Sequence, residues 1–247
     1  MRRILLELCY EGTNFCGWQI QPNGRSVQQT LMNALFMVFG VKIDVTGVSR
    51  TDSGVHAQQY FCHLDIINDA FDISKLCPAL NFHLPDSVSA LSSCVVDNDF
   101  HARYNAVSKT YSFRILNREA RSPFCDRHTI HFKQRLDVEA MQKAALHFVG
   151  KHDFASFMSA KSSTKENCTE RTVFFLNIYE KDDIIVIDIS ADGFLYNMVR
   201  IISGTLFFVG VGKIKHDDVP TIITSKNRGM AGPTLPAKGL TLEKVFY

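Results

Sequence analysis

The run Ser49-Arg50-Thr51-Asp52-Ser53-Gly54-Val55-His56-Ala57 sets one carboxylate between a guanidinium and a glycine, directly after the strand-like stretch 43–48. An aspartate on a loop carried by a rigid strand can act as a nucleophile if a nearby cation keeps it ionised. Thr, Asp, Ser and Gly also build turns, and on spacing alone a turn is the better reading. Three further stretches shift the balance. Residues 100–115 interleave His101, Arg103, Lys109 and Arg114 with Phe100, Tyr104, Tyr111 and Phe113. Aromatics alternating with cations can stack bases and hold phosphates, although some of these rings must fill a core. Lys109, Tyr111 and Phe113 share one strand face. Arg200 is the only charged side chain between Asp192 and Lys213. Burying a guanidinium on so apolar a helix is costly without an anion, and a carboxylate from the first half of the chain is the natural partner. Gly239-Leu240-Thr241-Leu242 follows Pro233 and Pro236 closely.

The elements that must position these residues follow from periodicity. Strands are expected at 4–10, 43–48, 58–66 and 88–96. A helix over 27–39 is capped by Ser26 and carries Val27, Leu31, Leu35 and Val38 on one stripe. Asp72 opens a second helix, to about 80. The second half repeats the logic: strands at 109–116 and 129–132, a helix over 137–149, and a hairpin of 173–179 and 184–190 turned at 180–183. An apolar helix follows over 194–209, then a short one over 217–224 and a closing strand at 240–246. This order predicts an α+β fold with helices layered on a sheet. Two similar α+β halves, 1–105 with the Asp52 loop and 106–247, could share one continuous sheet with a cleft between them. Segment 161–167 is polar and expected to be a mobile loop. Gly210-Val211-Gly212-Lys213 follows a helix and lacks the remaining residues of a phosphate-binding loop, so it reads as a helix exit.

Composition narrows the class. The 247 residues are 46% hydrophobic and 21% charged, ordinary for soluble domains. No apolar run is long enough to span a bilayer, so no membrane partner is expected, and the early charges of Arg2, Arg3 and Glu7 do not suit a signal peptide. Seven cysteines with no C-x-x-C pair argue against a disulfide framework or zinc ribbon and for a reducing cytoplasm. Cys62 and Cys94, in apolar strands, are expected in the core. His128 and His131 lack the glutamate of a zincin motif, and no nucleotide motif is present, so neither metal nor cofactor is expected. The net charge is only +2, yet 65–99 carries six Asp against one Lys and 101–135 carries eight Lys or Arg against two acids. The basic block suits a phosphate backbone; alternatively, the two blocks are solvated faces that neutralise one another.

These stretches, in this order, resemble the tRNA pseudouridine synthase A family nearly end to end. The resemblance rests on residues 10–19, on Arg50-Thr51-Asp52-Ser53-Gly54-Val55-His56-Ala57, on 100–104 and 108–111, on Phe194-Leu195-Tyr196-Asn197-Met198-Val199-Arg200 and on 237–240. It implies two ferredoxin- or RRM-like halves around a continuous, mainly antiparallel sheet flanked by helices, in a cofactor-free homodimer that isomerises uridine to pseudouridine at positions 38, 39 and 40 of the tRNA anticodon stem-loop. By that similarity Asp52 is the nucleophile, Arg50 helps flip the nucleotide, Tyr111 stacks on the uracil, Arg200 pairs with the carboxylate and Leu240 lies under the base. His56, Arg103 and Lys109 join Arg50 and Leu240 as expected RNA contacts. Ser49, Ser53, Glu11, Cys16 and Leu235 depart from the usual family residues, which bears on target choice more than on chemistry. Attack at C6 of the base and at C1′ of the sugar both stay open. So do the same chemistry on another RNA and a non-catalytic RNA-binding module.

Overall fold

The computed structural model describes residues 1–67, 70–159 and 168–247. The segment 161–167, expected as a mobile loop, lies outside the described residues. The chain divides into two compact units, Met1–Val107 with Leu242–Tyr247, and Ser108–Thr241.

The first unit holds β1 (Arg2–Tyr10), α1 (Val27–Phe39), β2 (Val45–Gly47), β3 (His56–Ile66), α2 (Leu76–His83) and β4 (Val88–Val96). Its strands lie in the order β4-β1-β3, with β2 also on β3 and all pairs antiparallel. That connectivity is the split β-α-β of ferredoxin-like folds. Alternation along β1 sends Ile4, Leu6, Leu8 and Tyr10 into the core while their neighbours stay half-buried, as a strand period of two requires. Leu31 and Leu35 of α1 and Leu76 and Leu80 of α2 cover that face and are fully buried. Ser26 caps α1 through its side chain onto Gln29 N–H, and Gly40 closes it at φ 72°. Asp72 caps a single 3-10 turn, Ile73–Lys75, and α2 runs on from it. Cys62 is buried on β3, but Cys94 is exposed, contrary to its expected place in the core. β4 is buried only at Val88 and Ala90 and open beyond, because it is an edge strand that covers little.

The second unit repeats the scheme with β5 (Ser108–Asn117), β6 (Ile130–Phe132), α3 (Val138–Leu146), β7 (Gly150–Asp153), β8 (Glu170–Lys181), β9 (Ile184–Ala191), α4 (Met198–Gly210) and α5 (Val219–Ser225); β10 (Leu240–Phe246) closes the chain. The order β5-β9-β8-β7 is antiparallel, and β6 runs parallel to β5. The β8–β9 hairpin turns on Asp182 and Asp183, at φ 52° and 62°. Two successive positive φ values match the right-handed twist of the flanking strands. The apolar helix expected over 194–209 starts later: Asn197 adopts a left-handed conformation, φ 62°, and α4 begins at Met198. Arg200 therefore stands in its first turn. α4 packs so closely that a Cβ on Gly204 would meet the Pro233 carbonyl oxygen at 1.8 Å. It ends at Gly210, and Gly212 at φ 73° follows as an exit rather than a phosphate loop.

Candidate active site

Asp52 is half-buried in the loop between β2 and β3. The loop closes on itself through Val55 N–H to Asp52 C=O, 3.1 Å, with Gly54 at φ 80°. A second segment, 11–19, braces it from outside. Trp18 N–H donates to Thr51 C=O at 3.1 Å, while Gly54 N–H and Ser53 Oγ both donate to Phe15 C=O, at 3.3 and 3.2 Å. The Tyr10 and Thr51 hydroxyls share a buried hydrogen bond of 2.7 Å. Tyr60, stacked on Trp18 at 4.1 Å, donates its hydroxyl to Ser49 C=O. The brace is itself anchored to α1, whose Val27 and Gln28 N–H groups donate to Gly17 and Trp18 C=O at 3.1 and 3.0 Å.

Two glycines make this contact possible. A Cβ on Gly12 would lie 2.0 Å from Val55 O, and one on Gly17 would lie 2.5 Å from Thr51 O. Backbone meets backbone at both places, so no side chain fits. Tyr10, Phe15, Gly17 and Trp18 lie in the 10–19 stretch that carries the family resemblance, yet no role followed for them or for Tyr60 from the sequence; in the structure all five hold the loop. Gly12 and Gly17 in a turn-rich segment were the available signal.

His56 begins β3 and is only 2% exposed. Its Nδ1 accepts Gly12 N–H at 3.0 Å and lies 3.4 Å from Glu11 Oε1. An imidazole so enclosed holds the 11–19 segment. Arg50 and Arg103 are exposed and, with Ser49, His101 and Tyr104, line a concavity of about 220 Å³ next to the loop.

In the second unit, Arg200 Nε donates to Leu235 C=O and its Nη1 to Asn197 Oδ1, both at 2.7 Å. Asn197 Nδ2 in turn donates to Ser159 Oγ at 3.0 Å. A residue in the left-handed conformation thus orients the guanidinium. Tyr111 is 7% exposed, facing Phe194 edge-on at 5.1 Å. Phe113 is fully buried, the core role that one of these aromatics had to take. Lys109 is half-buried, and Leu240 is buried after Gly239, whose hydrogen packs on the Phe113 ring. The basic block is partly neutralised: Arg118 lies 3.6 Å from Asp183, and Arg135 lies 3.4 Å from Glu180. Among the described residues no group of three His, Cys, Asp or Glu could hold a metal ion, and no helix is long and apolar enough to cross a membrane.

The Asp52 loop is thus braced through its backbone, with the exposed Arg50 two residues before the carboxylate. Comparison with known proteins shows which family the chain belongs to. A family model described as tRNA pseudouridine synthase matches residues 9–105 and 144–247. A tRNA pseudouridine synthase A of Clostridium botulinum (strain Alaska E43) is 48% identical over 247 residues, covering all of both chains. One from Acetivibrio thermocellus is 44% identical over the same full length. Clostridium perfringens has a tRNA pseudouridine synthase A 2 that is 42% identical, again across both chains. With both halves matched and relatives aligned from end to end, this chain belongs to the tRNA pseudouridine synthase family.

Proposed function

We propose that the protein isomerises uridine to pseudouridine in tRNA, at positions 38, 39 and 40 of the anticodon stem-loop, with Asp52 as nucleophile. The observation that carries this reading is the Asp52 loop itself, held by hydrogen bonds from the 11–19 segment and from β3 in a chain of this family. Nucleophilic catalysis needs the attacking atom held to within a fraction of an ångström, and the brace supplies that rigidity.

The reaction breaks the C1′–N1 bond, turns the uracil and joins C1′ to C5. The C5 proton leaves and N1 gains one, so atoms and electrons balance without an external oxidant or reductant. Exposing the base costs a few kcal/mol of unstacking, offset in this reading by Arg50 entering the stack and Tyr111 and Leu240 receiving the uracil. Arg200 is the cation assigned to the Asp52 carboxylate. Its place in the first turn of α4 adds the positive end of the helix dipole to its own charge. Arg103 and Lys109 are assigned to the phosphate backbone. His56 is assigned to positioning, because its buried Nδ1 is engaged by the Gly12 amide. The enzyme is read as a cytoplasmic homodimer.

The test uses an unmodified tRNA transcript with uridines at 38, 39 and 40. Pseudouridine is mapped by carbodiimide adduct and primer extension after incubation with wild type or Asp52→Asn. Modification at those positions by wild type alone, with RNA binding kept in the variant, is the expected result. Product from Asp52→Asn would remove Asp52 as nucleophile. Binding without modification by wild type would point to another RNA target.

A further inference from the structure

We propose that the concavity lined by Ser49, Arg50, His101, Arg103 and Tyr104 is a second nucleotide subsite, which takes an unpaired nucleotide adjacent to the reacting uridine. The inference rests on the reading of the chain as an RNA-modifying enzyme and adds where a neighbouring nucleotide binds. Asp52 is not among the lining residues; Arg50, two positions before it, links the subsite to the catalytic loop.

Charge is the first argument. Arg50 and Arg103 line one concavity, and among the described residues no carboxylate does. Both are exposed, and neither guanidinium has a hydrogen bond or ion pair among the described residues. Two like charges at one hollow with no counter-charge repel each other until an anion bridges them, and a guanidinium fork matches a phosphate.

The second argument is the aromatic surface. Tyr104 is 77% exposed. One side of its ring is backed by His101, centroid to centroid 4.2 Å at 31°, and the Arg103 guanidinium lies 5.9 Å from its centroid. A tyrosine so supported and otherwise open is a platform for a base, and stacking there is tolerant of base identity.

The third argument is preorganisation. His101 Nδ1 accepts both Arg103 and Tyr104 N–H, at 3.1 and 3.3 Å. Asn105 Oδ1 accepts His101 N–H at 2.6 Å, and the buried His63 Nδ1 accepts Ala102 N–H at 3.1 Å. Arg3 Nη1 holds Phe100 C=O at 3.0 Å. The turn carrying Arg103 and Tyr104 is therefore built before any RNA arrives, which lowers the ordering cost of binding. With Nδ1 used as an acceptor, the neutral His101 ring carries its proton on Nε2 and has one donor left for a ligand.

Ser49 is the fourth observation. Its Oγ is sealed from solvent and has no hydrogen-bond partner, a condition that buried hydroxyls rarely tolerate. A nucleotide oxygen in the concavity would relieve it after a small side-chain rotation.

The experiment uses anticodon stem-loops carrying 2-aminopurine immediately 5′ or immediately 3′ of the target uridine. Fluorescence is titrated with wild type, Tyr104→Phe, Tyr104→Ala and Arg103→Gln, and melting curves confirm that each variant is folded. One of the two labelled RNAs is expected to be quenched by wild type and by Tyr104→Phe but not by Tyr104→Ala. Kd should rise about tenfold in Tyr104→Ala, the usual effect of losing one base stack. Tight binding of both labelled RNAs with no Tyr104-dependent quenching would overturn the subsite. Conversion of the unlabelled stem-loop, followed in parallel, separates the two readings. Conversion without Tyr104-dependent quenching removes the subsite alone. Quenching without conversion keeps the subsite and removes the proposed reaction on that RNA.

Discussion

The Gly17→Ala substitution tests the claim that the 11–19 segment positions Asp52. At Gly17, φ is 107°, and an added Cβ would lie 2.5 Å from Thr51 O and 3.1 Å from the Asp52 carbonyl carbon. Ordinary contact begins at 3.4 Å, so the loop must retreat by about 0.9 Å or the 11–19 segment must lift by as much. Both partners are backbone, and no flexible side chain can absorb the shift. The Trp18 N–H to Thr51 C=O bond, 3.1 Å, stretches with it. Backbone strain contributes about 1–3 kcal/mol and the weakened hydrogen bond about 1 kcal/mol, for a loss of about 2–4 kcal/mol of stability. A displacement near 1 Å at a reacting group costs about 100-fold in rate. Gly40→Ala is the control. It also has positive φ, 72°, but nothing lies within 4 Å of its added Cβ. It carries strain of about 1–2 kcal/mol and moves nothing at the loop. Single-turnover conversion of a stem-loop and thermal melting are measured for both. Gly17→Ala should stay folded and lose about two orders of magnitude in kcat, with KM changed much less, while Gly40→Ala keeps its rate. A wild-type rate in Gly17→Ala, or an equal loss in Gly40→Ala, would refute the reasoning.

Other perturbations probe separate parts of the molecule. Burial, with Arg3 and His101 alongside, holds the His63 imidazole below its usual range, against a smaller opposing effect of Asp65. Unfolded, it titrates near 6.5, so between its lowered folded pKa and about pH 6.5 the unfolded chain binds the extra proton. His63 therefore contributes stability that is present above about pH 6.5 and is lost as pH falls through that window. Denaturant midpoints against pH should show this slope, and His63→Gln should flatten it; an unchanged slope contradicts the assignment. Asn197 serves α4 twice, by its left-handed backbone and by its Oδ1 on Arg200. Asn197→Gly should be more stable than Asn197→Ala by about 1 kcal/mol, yet both should lose kcat alike because Arg200 loses its acceptor. Full activity in Asn197→Gly would show that Arg200 needs no such orientation. RNA affinity should fall linearly on a log–log plot against salt, and Arg103→Gln should reduce the slope by about one. An unaltered slope would place Arg103 away from phosphate.

Periodic and capped elements were legible in the sequence because their signals are local. α1 and β4 have the bounds that the pattern implies, and Ser26 caps as its type suggests. The β8–β9 turn falls at its expected place, narrowed to Asp182 and Asp183. The motifs also sufficed to suggest the family, since residue type at fixed spacing is what a family shares. Other features had no local mark. β7 is four residues long without alternation, and only its pairing with β8 makes it a strand. The start of α4 was hidden in a largely apolar run, where the polar Asn197 breaks the helix by its left-handed backbone, a conformation that its residue type permits but does not announce. Cys94 has an apolar setting in sequence, but it stands on an edge strand with little to cover it.

The candidate site divides along the same line. Asp52, Arg50, Tyr111 and Arg200 could be proposed from the sequence because the roles assigned to them depend on side-chain type, which the sequence displays directly. The brace on Asp52 depends on the carbonyls of Phe15 and Thr51 and on the missing Cβ atoms of Gly12 and Gly17. Backbone groups are the same in every residue, so a sequence can show that a loop is rich in glycine but not what the glycines let near. By itself the sequence determined which groups are available and how each short segment prefers to fold. Only the tertiary structure decided which backbone meets which, because those contacts join residues tens of positions apart and depend on packing that no local pattern encodes.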